Sequence, residues 1–173
     1  HQGWLPGDLS REIHRTEWRL TFESRRVVTC SPHMRWEVTR LFALPADKVD
    51  VVPNGIDLAD WTATRREVAQ ARERWAPDGP LVVLPGRLAW EKGAHVAVAA
   101  VPALRRRFPG LRLVLAGEGP QRAELEAQVR RLRVARSVEL PGWLDAAALR
   151  AAVAAADVVV APSGYEPFGL VAL

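Results

Sequence analysis

The feature that most restricts the fold is an alternation running through residues 81–173, in which short apolar runs ending in Gly, Pro or Ser are separated by longer stretches of helical character. The runs are LVVLPG (81–86), LRLVLAG (111–117), SVELPG (137–142) and DVVVAPS (157–163). They are mostly continuous rather than alternating, the pattern of strands covered by helices on both faces, and strand–helix repetition of this kind specifies βαβ units around a parallel sheet. A Rossmann-like, doubly wound α/β unit is the expectation.

Between the runs, EKGAHVAVAAVPALRRRF reads as a helix kinked at Pro102. PQRAELEAQVRRLRV reads as a helix with Pro120 in its first turn and Leu125, Val129 and Leu132 on its buried face. In LDAAALRAAVAAA, Asp145 is the expected N-cap, with Leu149 and Val153 facing the sheet. Upstream, DLSREIHRTEWRLTFESR reads as a long amphipathic helix, RVVTC as a strand, SPHMRWEVTRLFAL as a helix begun by Ser31 and Pro32, and KVDVVPNG as a strand. Two strands are too few for a stable domain. Residues 1–57 are therefore expected to be the tail of an earlier α/β domain, and residues 58–173 a second one. The crossing falls in PNGIDLADW (53–61), where Asn54-Gly55 signals a turn. His1 in place of methionine and the apolar ending GLVAL lead to the expectation of an internal fragment, truncated at both ends.

A net charge of +4 and a pI near 10.2 raise the question of nucleic acid. All but two of the 24 basic residues, Lys48 and Lys92, are arginines, and they are dispersed among acids such as Glu118, Glu124 and Glu126. The densest run, Arg105 to Arg107, falls at a helix end, where cations complement the dipole. A solvated helix end is preferred to a phosphate-backbone patch, and no nucleic-acid partner is expected. The single cysteine, Cys30, excludes an intramolecular disulfide and argues against a zinc site, which makes the cytoplasm the expected compartment. No run reaches the roughly 18 apolar residues of a membrane span, so no transmembrane segment is expected.

Ligands of open parallel sheets bind outside the carboxyl ends of the strands. GRLAWEKG places Arg87 at the end of the first run and Lys92 five residues on, at the start of a helix, where both could face one anion such as a diphosphate. Two exposed cations near a helix start are the plainer alternative. AGEGPQR (116–122) resembles a dinucleotide fingerprint but has Arg122 where the third glycine should stand. Gly117 and Gly119 either admit a ligand close to the backbone or form a tight turn. PGWL offers Trp143 and Leu144, which could border a nucleobase or cover the sheet edge. In APSGYEPFGLVAL, Pro167 is expected in a first helical turn, leaving the N–H groups of Phe168, Gly169 and Leu170 pointing out of a helix start toward phosphate or sugar oxygens. Glu166 beside them either accepts hydrogen bonds from sugar hydroxyls or caps the helix.

In this order and at these distances, GRLAWEKG, LVLAGEGP, VELPGWL and PSGYEPFGL resemble the C-terminal domain of a family 4 retaining glycosyltransferase of the GT-B fold, and VVPNGID resembles that family's interdomain segment. The likeness spans residues 26–173. It implies that Arg87 and Lys92 bind the donor diphosphate and that Glu166, the first acid of the family's Glu, seven residues, Glu motif, contacts the donor sugar. The second acid, which would hold the ribose, falls beyond Leu173. HQGWLPGDL resembles a glycogen-synthase-like branch, whose histidine near the reacting carbon would precede this chain, so that role is not given to His1.

The resemblance implies transfer of a sugar from a nucleoside-diphosphate sugar to a carbohydrate or other hydroxyl acceptor, with retention and by front-face attack. Arg87, Lys92, Gly117, Trp143, Leu144, Phe168, Gly169 and Leu170 are the donor-binding candidates, and Glu166, Arg87 and Lys92 the catalytic ones. No D-x-D or other carboxylate cluster is present for a divalent ion, so no metal and no cofactor beyond the donor are expected. A covalent role for Glu166 is not assigned, because retaining hydrolases use two carboxylates about 5 Å apart. The alternatives are a nucleotide-sugar epimerase on the same fold, a dinucleotide-binding oxidoreductase and a noncatalytic nucleotide-binding module. The chain alone is expected to turn over little.

Overall fold

The computed structural model describes residues 7–173. The opening HQGWLP, including His1 and most of the stretch behind the branch resemblance, lies outside the described residues. The chain divides into two compact units between Gly55 and Ile56.

The first unit contains α1 (Gly7–Glu23), β1 (Val27–Thr29), α2 (Pro32–Phe42), a 3-10 turn (Ala46–Lys48) and β2 (Val49–Val51). β1 and β2 are parallel, with Val27 opposite Val49 and Thr29 opposite Val51. Phe42, Leu44 and Val49 form its small core, with Val27 and Val38 against them. Ser31 and Pro32 begin α2 as expected: Ser31 Oγ accepts the Met34 N–H at 3.1 Å, and the ring fills the first turn. No residue of α1 is buried, and Trp18, Leu20 and Phe22 on it are exposed.

The second unit opens with a 3-10 turn (Leu58–Trp61) and α3 (Arg65–Trp75). It continues through β3 (Leu81–Pro85), a 3-10 turn (Trp90–Lys92), α4 (Ala94–Arg107), β4 (Arg112–Ala116) and α5 (Arg122–Arg131). β5 (Val138–Gly142), α6 (Ala146–Ala155), β6 (Val158–Val159) and a last 3-10 turn (Leu170–Ala172) complete it. All four strands are parallel, in the order β5-β4-β3-β6.

Period-two geometry splits each apolar run between two cores. Leu84, Leu113 and Leu115 pack with Val98 and Val101 of α4 and Leu125 and Val129 of α5. Leu81, Val83 and Val114 pack with Ala71 and Trp75 of α3 and Ala151, Ala152 and Ala155 of α6. Both faces are covered, which is why β3 and β4 carry no alternation.

The elements depart from expectation at several points. DVVVAPS supplies only a two-residue strand, because β6 pairs with β3 alone and leaves Val158 and Val159 exposed on the sheet edge. As expected, α4 contains Pro102 and runs on to Arg107. Lys92 does not begin that helix: Gly93, at φ 70, separates the 3-10 turn from α4. Pro120 lies ahead of the Gln121 N-cap of α5 rather than in its first turn. Asp145 does cap α6, accepting the Ala148 N–H at 2.8 Å. On that helix the buried face belongs to the alanines, while Leu149 and Val153 are half-buried.

Helix α3 has no counterpart in the pattern reading, because six charged residues dilute its apolar stripe. Its local signal is a capping box, in which the Thr64 N–H donates to Glu67 Oε2 at 2.7 Å and the Glu67 N–H donates to Thr64 Oγ1 at 3.3 Å. Arg72 on α3 donates to Asp157 Oδ2 at 2.6 Å, to the Ala155 carbonyl at 3.1 Å and to the Gly79 carbonyl at 2.8 Å. Asp157 also accepts the Leu81 N–H at 2.7 Å, so one ion pair fastens the entries of β3 and β6. The Leu81 N–H, followed by the Arg72 guanidinium, holds the Asp157 carboxyl below its ordinary value.

Candidate active site

Because the four strands run the same way, the segments leaving β3, β4, β5 and β6 gather along one edge of the sheet. That edge bears a cavity of about 840 Å³. Gly86 and Arg87 line it after β3, Gly117 and Glu118 after β4, and Trp143 and Leu144 after β5. The apolar remainder includes Leu149 and Val153 of α6, Val159 of β6, Leu170, Val171 and Leu173, and Ile56, Leu58 and Trp61 from the segment ahead of α3. Leu149 and Val153 are thus cavity wall rather than sheet contacts alone. Arg87 and Glu118 are the charged residues of the lining.

Adjacent loops are joined in two ways. The exits of β3 and β4 are joined by main chain: the Gly86 N–H donates to the Ala116 carbonyl at 3.0 Å, the Leu88 N–H to the Glu118 carbonyl at 2.8 Å and the Gln121 N–H to the Leu88 carbonyl at 2.9 Å. A Cβ on Gly117 would collide with the Gly86 carbonyl, and one on Gly119 with the Leu88 backbone. These glycines are accounted for by the approach of one loop to the other, although Gly117 also lines the cavity.

The exits of β3 and β6, neighbours at the other side of the sheet, are joined largely by charge. Lys92 Nζ donates to Glu166 Oε2 at 2.6 Å, both side chains being 30% exposed, and Ser163 Oγ donates to the same oxygen at 3.3 Å. The Gly164 N–H donates to the Glu91 carbonyl at 2.9 Å. Gly93 is pressed so closely against the Pro162 carbonyl that no Cβ fits, and its left-handed φ would strain one in any case. The Glu91 carboxylate, 14% exposed, accepts from the Arg87 guanidinium, which is 66% exposed.

Of the nominated residues, then, Arg87, Gly117, Trp143, Leu144 and Leu170 lie on the cavity, and Lys92, Glu166, Phe168 and Gly169 are not among its lining. Lys92 and Glu166 meet each other instead. Trp143 stands 80% exposed at the rim. The expected helix start at Pro167 is not formed: Phe168 and Gly169 precede a single 3-10 turn, Gly169 taking a left-handed φ of 87. Three helix-start N–H groups at Phe168, Gly169 and Leu170 are therefore not assembled, because the turn begins only at Leu170. Glu91, between Arg87 and Lys92 in GRLAWEKG, is not among the sequence candidates, because an acid flanked by cations carries no signal of its own. Among the described residues, no group of three or more His, Cys, Asp or Glu is placed to hold a metal ion. None of their helices is long and apolar enough to cross a membrane.

Comparison with known proteins decides the family. The profile of the glycosyl transferases group 1 family matches residues 65–173, and that of glycosyltransferase family 4 matches residues 1–60. The chain belongs to the glycosyl transferases group 1 family. Across all 173 residues it is 46% identical to a glycogen synthase from Mycobacterium tuberculosis, and it spans 40% of that relative's length. It superposes on a sucrose-phosphate synthase from Thermosynechococcus elongatus with a TM-score of 0.79 and 29% identity, covering 94% of this chain and 41% of that one. An Anabaena HepE structure in complex with UDP-glucose shares the fold, with a TM-score of 0.83 at 24% identity over 94% of this chain and 45% of that one. The parallel-sheet α/β units are those of a GT-B glycosyltransferase.

Proposed function

We propose that residues 58–173 form the donor-binding domain of a retaining glycosyltransferase, which moves a sugar from a nucleoside-diphosphate sugar to a hydroxyl acceptor, and that residues 1–57 belong to its acceptor-side domain. The observation that carries this reading is the Lys92–Glu166 pair, 2.6 Å long and closed across 74 residues of chain at the carboxyl edge of the sheet. It lies one residue from Glu91, which holds the cavity cation Arg87. Two acids and two cations are thus brought to the ends of two adjacent strands.

Breaking an anomeric bond leaves negative charge on the departing diphosphate and positive charge on the sugar ring. Arg87 and Lys92 are assigned to the diphosphate, and Glu166 to the sugar hydroxyls and the ring charge. Each cation already has a carboxylate partner, so the diphosphate binds by exchange: Lys92 turns from Glu166 to a phosphate oxygen, and Glu166 gains acceptor capacity for the sugar. Charge-assisted bonds of this kind contribute about 1.5 to 3 kcal/mol each. With two cations neutralising the leaving group, no divalent metal is required, and activity is expected to survive EDTA.

The 46% identity to a glycogen synthase supports an α-glucan acceptor and a glycogen-synthase-like branch. The UDP-glucose complex of HepE supports a nucleotide-sugar donor. The test is release of nucleoside diphosphate by the full-length protein from UDP-, ADP- and GDP-glucose, with and without α-glucan. Acceptor-dependent release that Glu166→Gln lowers by roughly 100 to 1000-fold is expected. Conversion of the donor sugar to an epimer without acceptor would replace transferase by epimerase.

A further inference from the structure

The way β5 ends is unlike the ends of its neighbours. Val114 lies opposite Glu139 and Ala116 opposite Gly142, so three steps of β5 face two of β4 and the ladder is interrupted at Leu140–Pro141. Such bulges leave backbone groups unpaired and re-aim the chain that follows. Here the Leu140 carbonyl accepts Arg122 Nη2 at 2.9 Å, from the start of α5. The same guanidinium donates to Glu118 Oε1 at 2.9 Å and lies 3.1 Å from Glu126 Oε1. Gly142 takes φ 87, and a Cβ there would meet the Glu118 carboxylate and come within 3.7 Å of Arg122 Nη1. Three elements therefore converge on the last residue of β5, and the next two residues, Trp143 and Leu144, are cavity wall.

We propose that Arg122 is a positioning residue for the nucleoside end of the donor: by holding the Leu140 carbonyl and seating Glu118 against Gly142, it fixes the bulge and sets Trp143 at the rim and Leu144 in the wall of the cavity. This rests on the donor-site reading given above. If Arg87, after β3, takes the diphosphate, the sheet order carries the donor across β4 toward β5, away from the Lys92–Glu166 pair at the sugar end. The apolar wall at Trp143 and Leu144 then meets the nucleobase. Glu118 does not contact the ligand in this account; it is half of the ion pair that keeps the β5 exit in place.

The test is calorimetric titration of the full-length protein with UDP, ADP, GDP and inorganic pyrophosphate. Arg122→Met is expected to weaken the preferred nucleoside diphosphate about 10-fold, the scale of one charged hydrogen bond, while leaving pyrophosphate within about 2-fold. Arg122→Lys, which keeps the cation but loses the fork, should recover part of the loss and serves as the folded control. Glu118→Gln combined with Arg122→Met should cost little more than Arg122→Met alone, since the two act as one unit. Parallel weakening of pyrophosphate and nucleotide, or no change in either, would overturn the proposal. Arg87→Ala supplies the other arm, since it should weaken pyrophosphate and nucleotide together. A wild-type protein that binds neither would instead sink the donor-site reading, and this inference with it.

Discussion

The two joints of the candidate site differ in what holds them. Between β3 and β4 the loops share three main-chain hydrogen bonds across glycines that leave no room for a side chain. Past the short β3–β6 ladder, which ends with the Val160 N–H donating to the Val83 carbonyl at 2.9 Å, the loops leaving these strands are tied mostly by an ion pair, with one main-chain bond at Gly164. Main-chain bonds cannot change partners without unfolding the loop, whereas a lysine on a flexible stem can. Under the proposed function, the β3–β4 side serves as scaffold and the β3–β6 side as the working edge, where Lys92 can exchange its carboxylate partner for a ligand oxygen.

Breaking the working edge has the largest expected effect. Glu166→Gln or Lys92→Met in the full-length protein should lower kcat/KM for donor by roughly 100 to 1000-fold, the scale of losing one preorganised group, with little change in the thermal midpoint. A comparable drop in stability for either variant would make the pair structural.

Breaking the scaffold comes next. Gly119→Ala forces a methyl group into the Leu88 backbone and should destabilise the folded state by about 2 kcal/mol in urea titrations. A neutral result would show that the loops can separate freely. Smaller again is Thr64→Ala, which removes one side of the α3 capping box at a residue that does not line the cavity. It should cost about 1 kcal/mol of stability and leave donor KM unchanged.

The smallest effect concerns acid. The Asp157 carboxyl is held below its ordinary value by the Leu81 N–H and then by Arg72. A depressed folded-state value stabilises the fold above the unfolded carboxyl's pKa, about 3.9, and the contribution fades as pH falls through the folded value. Asp157→Asn should therefore flatten the decline of stability below about pH 4, as followed by acid titration of circular dichroism. Glu67, lowered by its Thr64 hydrogen bonds, and Asp50 in the first unit, lowered by Arg26, add declines of the same sign that the substitution leaves in place.

How much was legible in the sequence follows the same division. β3, β4 and β5 are readable as apolar runs because helices cover both their faces. β6 is overextended in that reading because an edge strand with one neighbour needs few paired residues. α3 is hidden by its charge, and its Thr64-to-Glu67 spacing is the only local mark of it. At the site, Arg87, Lys92 and Glu166 are visible as charged residues after strand-like runs. Their partners are not: Lys92 meets Glu166 only because β6 lies beside β3, a long-range fact that spacing cannot carry. Pro167 misleads, since a proline permits a helix start without requiring one, and the chain turns at Gly169 instead.

The most direct test is a crystal structure of the full-length protein with a nucleoside-diphosphate sugar bound. Lys92 Nζ and the Arg87 guanidinium are expected within hydrogen-bond reach of the diphosphate, with Glu166 on the sugar hydroxyls. A diphosphate seated elsewhere, with the Lys92–Glu166 pair still closed, would contradict it.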